Sequence, residues 1–324
     1  RLDGTPLNAK LYDGGMKALR ECHIPGRGML RMGENGVTLL AMNRAAEFFF
    51  TGRGDEMEVT LNSNAGLFPT FPLYPAEIKA PGKAVMLDLD GTCVKSEKVW
   101  IKTILDTVNA VRGKSGSEPL SAFREDELPF ISGRTVPEHL MYCIEHYCPG
   151  FPLKEMQCIY TAIAEDYMVK MDSGELDIDA FEPAEGLKEL LLWLKGQDIK
   201  IALVTSGLYY KAGPELDQAM AKMGLGDPNT FFDAIITSGT LAGAGQPGTM
   251  GNAIAKPWPH IYFEAAQVMG FSMDEREDFV GVGDSNSDAG SVRLMGAPVI
   301  GIDHGNIRRG GTMAMCNRFV EGLP

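Results

Sequence analysis

Ala84-Val85-Met86-Leu87-Asp88-Leu89-Asp90-Gly91-Thr92 is the stretch that decides how this chain folds. Four apolar residues run straight into an aspartate with no polar alternation, the pattern of a strand buried on both faces of a parallel sheet. Such a strand presents the residue beyond its C-terminal end at the mouth of the sheet, which puts Asp88 there. Downstream, residues 199–204, 232–237, 279–282 and 298–302 have the same form, and helical patterns over 186–195 and 259–269 lie between them. Strands alternating with helices predict an α/β chain with a doubly wound parallel sheet and ligands at the strands' carboxyl ends.

Between the first two of these strands the chain carries apolar stripes at helical spacing. One is Ile101, Ile104, Leu105, Val108 and Val111; another is Met156, Ile159, Ile163 and Tyr167. Residues 98–182 therefore read as an all-helical insert, able to act as a lid over the strand tips. Upstream, residues 39–43 and 57–62 look like strands with a short apolar helix over 45–50 between them, an α+β extension. Pro69, Pro72, Pro75 and Pro81 then mark a linker, because proline cannot join a ladder.

Composition narrows the function. With 30 Lys plus Arg against 43 Asp plus Glu in 324 residues, the net charge of −13 argues against a nucleic-acid or anionic-membrane partner. An anionic substrate would need local positive charge or a metal. No run of about 18 apolar residues suggests a membrane span. Six cysteines without regular spacing read as reduced thiols, and the start of the chain lacks a signal-like apolar stretch, so the cytoplasm is expected.

Four short signals follow the strands in order: Asp88-Leu89-Asp90-Gly91-Thr92, Thr205-Ser206-Gly207, Lys256-Pro257, and Gly283-Asp284-Ser285-Asn286-Ser287-Asp288. Each alone has an ordinary reading as a turn or a helix cap. Together, each at a strand mouth, they make a site. Asp88, Asp90 and Asp284 converging in one crevice would repel unless a cation sat among them, and their hard oxygens suit Mg²⁺. A carboxylate attacks phosphorus once a metal and fixed donors neutralise the phosphoryl oxygens. Lys256 offers a point charge, Thr205 a hydrogen bond, and Asp90 can reach the leaving oxygen as a general acid.

These four motifs resemble those of the haloacid dehalogenase superfamily over about residues 84–302. The insert lies where that family has a helical type-1 cap. Val94-Lys95-Ser96-Glu97 and Lys256-Pro257-x-Pro259-x-x-Tyr262 look like the branch of phosphoglycolate phosphatase and β-phosphoglucomutase. The resemblance implies a Rossmann-like core over 81–97 and 183–324, a cap over 98–182 and an extension over 1–80. It implies Asp88 as nucleophile, Asp90 as acid and base, and Thr205 and Lys256 as the phosphoryl grip. It gives Mg²⁺ to Asp88, the Asp90 carbonyl and Asp284, with Asp288 in support. Ser206 and Gly207 would bind substrate, as would Gly133 and Arg134 in the cap's specificity loop. Asp90 favours phosphate-ester chemistry, since dehalogenases replace it.

The expected activity is Mg²⁺-dependent hydrolysis of a small phosphorylated metabolite, with a β-phosphoglucomutase-type sugar-phosphate mutase as the alternative. Ser132 and Val136 stand where such mutases carry cations. A binding module with an idle site is the third reading, and the intact motifs argue against it. Gly243-Ala244-Gly245-Gln246-Pro247-Gly248 matches a dinucleotide pattern but lacks the preceding strand. His139, Cys143 and His146 share a helical face without a fourth zinc ligand. Cys93, at a position usually apolar in the family, reads as packing.

Overall fold

A computed structural model describes residues 17–62, 67–80, 82–131, 136–173, 175, 181–238, 255–303 and 306–323. Strands β1 (Lys17–Ala18), β2 (Glu21–Ile24), β3 (Gly28–Arg31), β4 (Val37–Met42), β5 (Phe48–Arg53), β6 (Glu56–Leu61) and β7 (Thr70–Pro72) come first. Strand β8 (Ala84–Leu87) follows, and after it come α1 (Glu97–Lys114), α2 (Leu128–Ile131), α3 (Val136–Tyr147) and α4 (Leu153–Asp172). The chain continues through α5 (Leu187–Gly196), β9 (Lys200–Thr205), α6 (Tyr209–Met223), α7 (Pro228–Phe231) and β10 (Ala234–Thr237). It closes with α8 (His260–Val268), β11 (Phe279–Gly283), α9 (Asn286–Met295), β12 (Val299–Ile302), α10 (Asn306–Gly310) and β13 (Arg318–Val320).

The six-stranded sheet has the order β10-β9-β8-β11-β12-β13 and is parallel throughout. The expected doubly wound α/β fold is present, with β13 as an edge strand beyond those read from the sequence. The chain builds one side of the sheet outward from β8, then returns to β8 with β11 on its other side. That reversal opens a crevice at the strands' carboxyl ends.

Of the helices between β8 and β9, the two longest, α1 and α4, bury one face each. On α1 this face is Thr103, Ile104, Thr107, Val108 and Val111, with Ile101 and Leu105 only half-buried. The threonines tolerate burial because their hydroxyls donate to Val99 O at 2.8 Å and Thr103 O at 2.7 Å. On α4 it is Met156, Tyr160, Ala164 and Tyr167.

The N-terminal region corrects the sequence reading. Residues 45–50 were expected to form a helix, but Phe48–Arg53 is a strand, paired with both β4 and β6 in an antiparallel sheet of order β1-β4-β5-β6-β7. The run Phe48-Phe49-Phe50 lacks alternation because both its faces are covered. Phe48 and Phe50 pack with Leu39, Ala41 and Ala289, while Phe49 packs with Ile24, Val37 and Leu40. A continuous apolar run reads equally as helix or strand, and aromatic side chains favour the strand. Pro72 also differs from expectation, ending edge strand β7 opposite Glu58, a place where proline is tolerated. Among the described residues no helix is long and apolar enough to cross a membrane.

Candidate active site

Asp88 and Asp284 each stand one residue beyond a strand, β8 and β11, and those strands are the neighbours flanking the crevice. The Asp88 N–H continues the ladder by donating to Val282 O at 3.0 Å. The turn after it is tight. The Gly91 N–H donates to Val94 O at 2.8 Å, and the Cys93 and Val94 N–H groups both donate to Leu89 O at 2.9 Å. Gly91 has φ +82°, and a Cβ there would stand 2.6 Å from Asp284 Oδ2. Both the left-handed backbone and the approach of the carboxylate require glycine.

Lys256 Nζ lies 2.5 Å from Asp88 Oδ1 and 2.6 Å from Asp288 Oδ1. Asp288 is set by a capping box at the start of α9. The Ser285 N–H and hydroxyl donate to Asp288 Oδ2 at 3.1 and 2.6 Å, and the Asp288 N–H donates back to Ser285 Oγ at 3.3 Å. Asp284 accepts from Thr92 Oγ1 at 3.3 Å and Asn306 Nδ2 at 3.5 Å. One carboxylate oxygen from each of Asp88, Asp284 and Asp288 lies within 4.8 Å of the other two, and all three residues are buried. Among the described residues this is the one group of potential metal ligands.

Three carboxylates face one ammonium here. Burial, and after it the charge of Asp288, pushes the Asp88 carboxyl up to about 7 despite Lys256. Burial and the Asp88 charge push Asp284 well above the usual carboxylate range. Burial opposes the charged form of Lys256, but Asp288 and Asp88 override it and hold this lysine well above its ordinary value. A hard dication fits such a set, because the donors are all oxygen and its charge would relieve their crowding.

Asp90 points away from this cluster. It accepts from the Ser96 hydroxyl, and Lys211 Nζ lies 3.2 and 3.4 Å from its two oxygens. Burial would raise the Asp90 carboxyl, but the Lys211 charge and the Ser96 hydrogen bond hold it below its ordinary value. Lys211 sits 4.1 Å over the Trp100 ring and 3.8 Å from Glu215 Oε1. Glu215 is fully buried, and burial with the Asp90 charge holds its carboxyl well above the usual range.

Thr205 ends β9, and its Oγ1 accepts from the Gly207 N–H at 2.9 Å. The Ser206 Oγ is buried without a hydrogen-bond partner among the described residues. These residues line a cavity of about 330 Å³ between the strand tips and the helical insert, lined on the insert side by Trp100, Ile101, Ile104, Ile131 and Tyr160. Asp88, Asp90, Thr205, Ser206, Gly207, Lys256, Asp284 and Asp288, all singled out in the sequence, converge on it. Gly133 and Arg134 lie outside the described residues, as does the glycine-rich stretch 243–248.

Lys211 and Glu215 escaped the sequence reading. They sit on α6 one turn apart, and a Lys/Glu pair on an amphipathic helix reads as a surface pair until the fold turns it inward. His139 and Cys143 are buried in the helical insert, His139 with Nδ1 at 3.1 Å from Phe130 O, while His146 packs edge-on to Tyr142. Cys93 is packed in the core.

The family described as haloacid dehalogenase-like hydrolase matches residues 83–296. No curated protein matches the chain. Among solved structures, a predicted phosphoglycolate phosphatase from Haemophilus somnus is 18% identical with a TM-score of 0.54, covering 74% of this chain and 94% of that one. CbbY from Rhodobacter sphaeroides, in complex with xylulose-(1,5)bisphosphate, is 17% identical with a TM-score of 0.53, over 74% of this chain and 94% of that one. β-Phosphoglucomutase from Clostridium difficile is 18% identical with a TM-score of 0.51, over 74% of this chain and 91% of that one.

Proposed function

We propose that this chain, which belongs to the haloacid dehalogenase-like hydrolase family, hydrolyses a small phosphomonoester through a phosphoaspartate on Asp88, with Mg²⁺ as cofactor. The observation that carries the reading is the buried trio Asp88, Asp284 and Asp288, bridged by Lys256 at 2.5 and 2.6 Å. An ammonium held between two carboxylates beside a cavity suits a phosphoryl group with one oxygen on the lysine. The Ser206 hydroxyl, without a hydrogen-bond partner among the described residues, supplies a further donor lining the same cavity.

Mg²⁺ held by Asp88, the Asp90 carbonyl and Asp284, with Asp288 in support, would neutralise phosphoryl oxygens and so expose phosphorus to an anionic nucleophile. Asp88 forms a bond to phosphorus as the ester P–O bond breaks, and Asp90 gives its proton to the leaving oxygen. Asp90 then takes a proton from water, whose oxygen attacks phosphorus and releases phosphate and Asp88. The Lys211 contact holds Asp90 ionised, the state needed for the second step. To serve as the acid, Asp90 leaves Lys211, takes up a proton from solvent and turns to the ester oxygen. Thr205, Ser206 and Gly207 orient the phosphoryl group, and Gly133 and Arg134 belong to the cap's contact with the rest of the substrate.

Residues 98–182 act as the cap, 81–97 with 183–324 as the core, and 1–80 as an extension. The six unpaired cysteines fit a reducing cytoplasm. On a panel of phosphorylated metabolites we expect net release of inorganic phosphate without a bisphosphate activator. Accumulation of an isomerised sugar phosphate faster than free phosphate would make the chain a mutase instead.

A further inference from the structure

The turn between β4 and β5 reaches from the N-terminal sheet to the start of α9. Asn43 Oδ1 accepts from the N–H groups of Glu47 and Phe48 at 2.8 and 3.0 Å, which closes the turn, and Asn43 Nδ2 donates to Glu47 Oε2 at 3.2 Å. Across the interface, Glu47 Oε2 accepts from Asn286 Nδ2 at 3.1 Å. The other side of that amide is held as well, since Thr312 Oγ1 donates to Asn286 Oδ1 at 2.6 Å. Asn286 is two residues beyond Asp284 and two before Asp288, so its side chain fixes the loop bearing both carboxylates.

The same turn grips a second element of the site. Asn43 Nδ2 donates to Gly310 O at 3.1 Å, the Ala45 N–H to the same oxygen at 3.4 Å, and Arg44 Nη1 to Arg309 O at 3.2 Å. These carbonyls end α10, whose first residue, Asn306, donates to Asp284. Packing is equally close: a Cβ on Gly290 of α9 would stand 2.2 Å from Phe48 Cζ, and one on Gly310 would stand 1.6 Å from Asn286 Nδ2. At the far end of α9, Arg293 Nη2 donates to Tyr74 O at 2.7 Å. All ten residues of α9 are buried, because the N-terminal sheet covers the face that solvent would otherwise wet.

We infer that the N-terminal sheet is a working part of the cation site, and that Glu47, acting through Asn286, is a positioning residue for Asp284 and Asp288. Hydrogen bonds to metal ligands commonly change affinity by 10–100-fold, and the Glu47–Asn286 bond, which acts through the loop between Asp284 and Asp288, stands one step further out. The inference rests on the reading of Asp284 as a metal ligand.

Titration calorimetry with Mg²⁺ on the full chain, without substrate, tests it. Glu47→Ala should weaken Mg²⁺ binding about tenfold, and Glu47→Gln, which keeps an acceptor oxygen for Asn286, should restore it. Combining Glu47→Ala with Asn286→Ala should add little to either alone, since both break one contact. Equal Mg²⁺ affinity in Glu47→Ala and the parent chain, or a glutamine variant as weak as the alanine, would overturn the inference. Should Glu47→Ala fail to fold, Thr312→Val removes the hydroxyl on the other side of the same amide and carries the same expectation. A parent chain that binds no Mg²⁺ would instead remove the cation reading itself, and the inference with it.

Discussion

Replacing Asp88 by asparagine should lower kcat by at least about 10³-fold while leaving the chain folded. The amide keeps the shape of the carboxylate and cannot form the bond to phosphorus. Stability should hold or improve. Asp88 is buried beside Asp284 and Asp288, and its carboxyl is pushed up to about 7, so above that pH its ionised form opposes folding of the metal-free chain. Asparagine removes that opposition, and Lys256 keeps its contact with Asp288 at 2.6 Å. In metal-free buffer above that pH, the melting temperature of Asp88→Asn should be unchanged or higher by roughly 2–4 °C, what about 1 kcal/mol produces in domains of 150–250 residues. Initial rates and a thermal melt decide both points. Substantial residual hydrolysis would remove Asp88 as nucleophile.

Chelating the divalent cation should abolish turnover, Mg²⁺ should restore it, and Ca²⁺ should inhibit. Calcium's larger shell would let Asp88 bind through both oxygens and lose its line to phosphorus. The same carboxylates give the metal effect a pH signature. Asp88 and Asp284 have folded values raised above their ordinary 3.8, so the folded, metal-free chain binds more protons than the unfolded one. Its stability is greatest at low pH in this respect and falls as pH rises from about 4 through about 7. Mg²⁺ replaces those protons, so the rise in melting temperature on adding Mg²⁺ should be larger above pH 7 than below it. Full activity in metal-free buffer, or a Mg²⁺ stabilisation that shrinks as pH rises, would contradict the placement of the cation among these groups.

The residues that could be found in the sequence are those standing at the ends of buried strands. A parallel strand is a short uninterrupted apolar run, so Asp88, Thr205 and Asp284 are marked by the sharp change from apolar to polar. Asp90 and Asp288 follow at fixed short spacings. Lys256 was legible only in company, since a Lys-Pro pair alone reads as a surface turn. The N-terminal region was harder because the cue of alternation fails where both faces of a strand are buried, as at Phe48–Arg53. Lys211 and Glu215 look like a solvent-exposed helical pair, and only the packing of α6 under Trp100 makes them a buried partner for Asp90. Glu47 and Asn286 are 239 residues apart, and nothing local in either stretch announces their contact.

Rapid quench of the enzyme in the presence of Mg²⁺ and a phosphomonoester it turns over, followed by peptide mass spectrometry, addresses the nucleophile directly. Acid quenching preserves an acyl phosphate, and borohydride reduces it to an alcohol. The expected result is a phosphoryl group on the peptide containing Asp88, converted by borohydride to homoserine at that position and absent from Asp88→Asn. A parent enzyme that releases phosphate through many turnovers with no label on Asp88 at any quench time, or with the label on another residue, would contradict it.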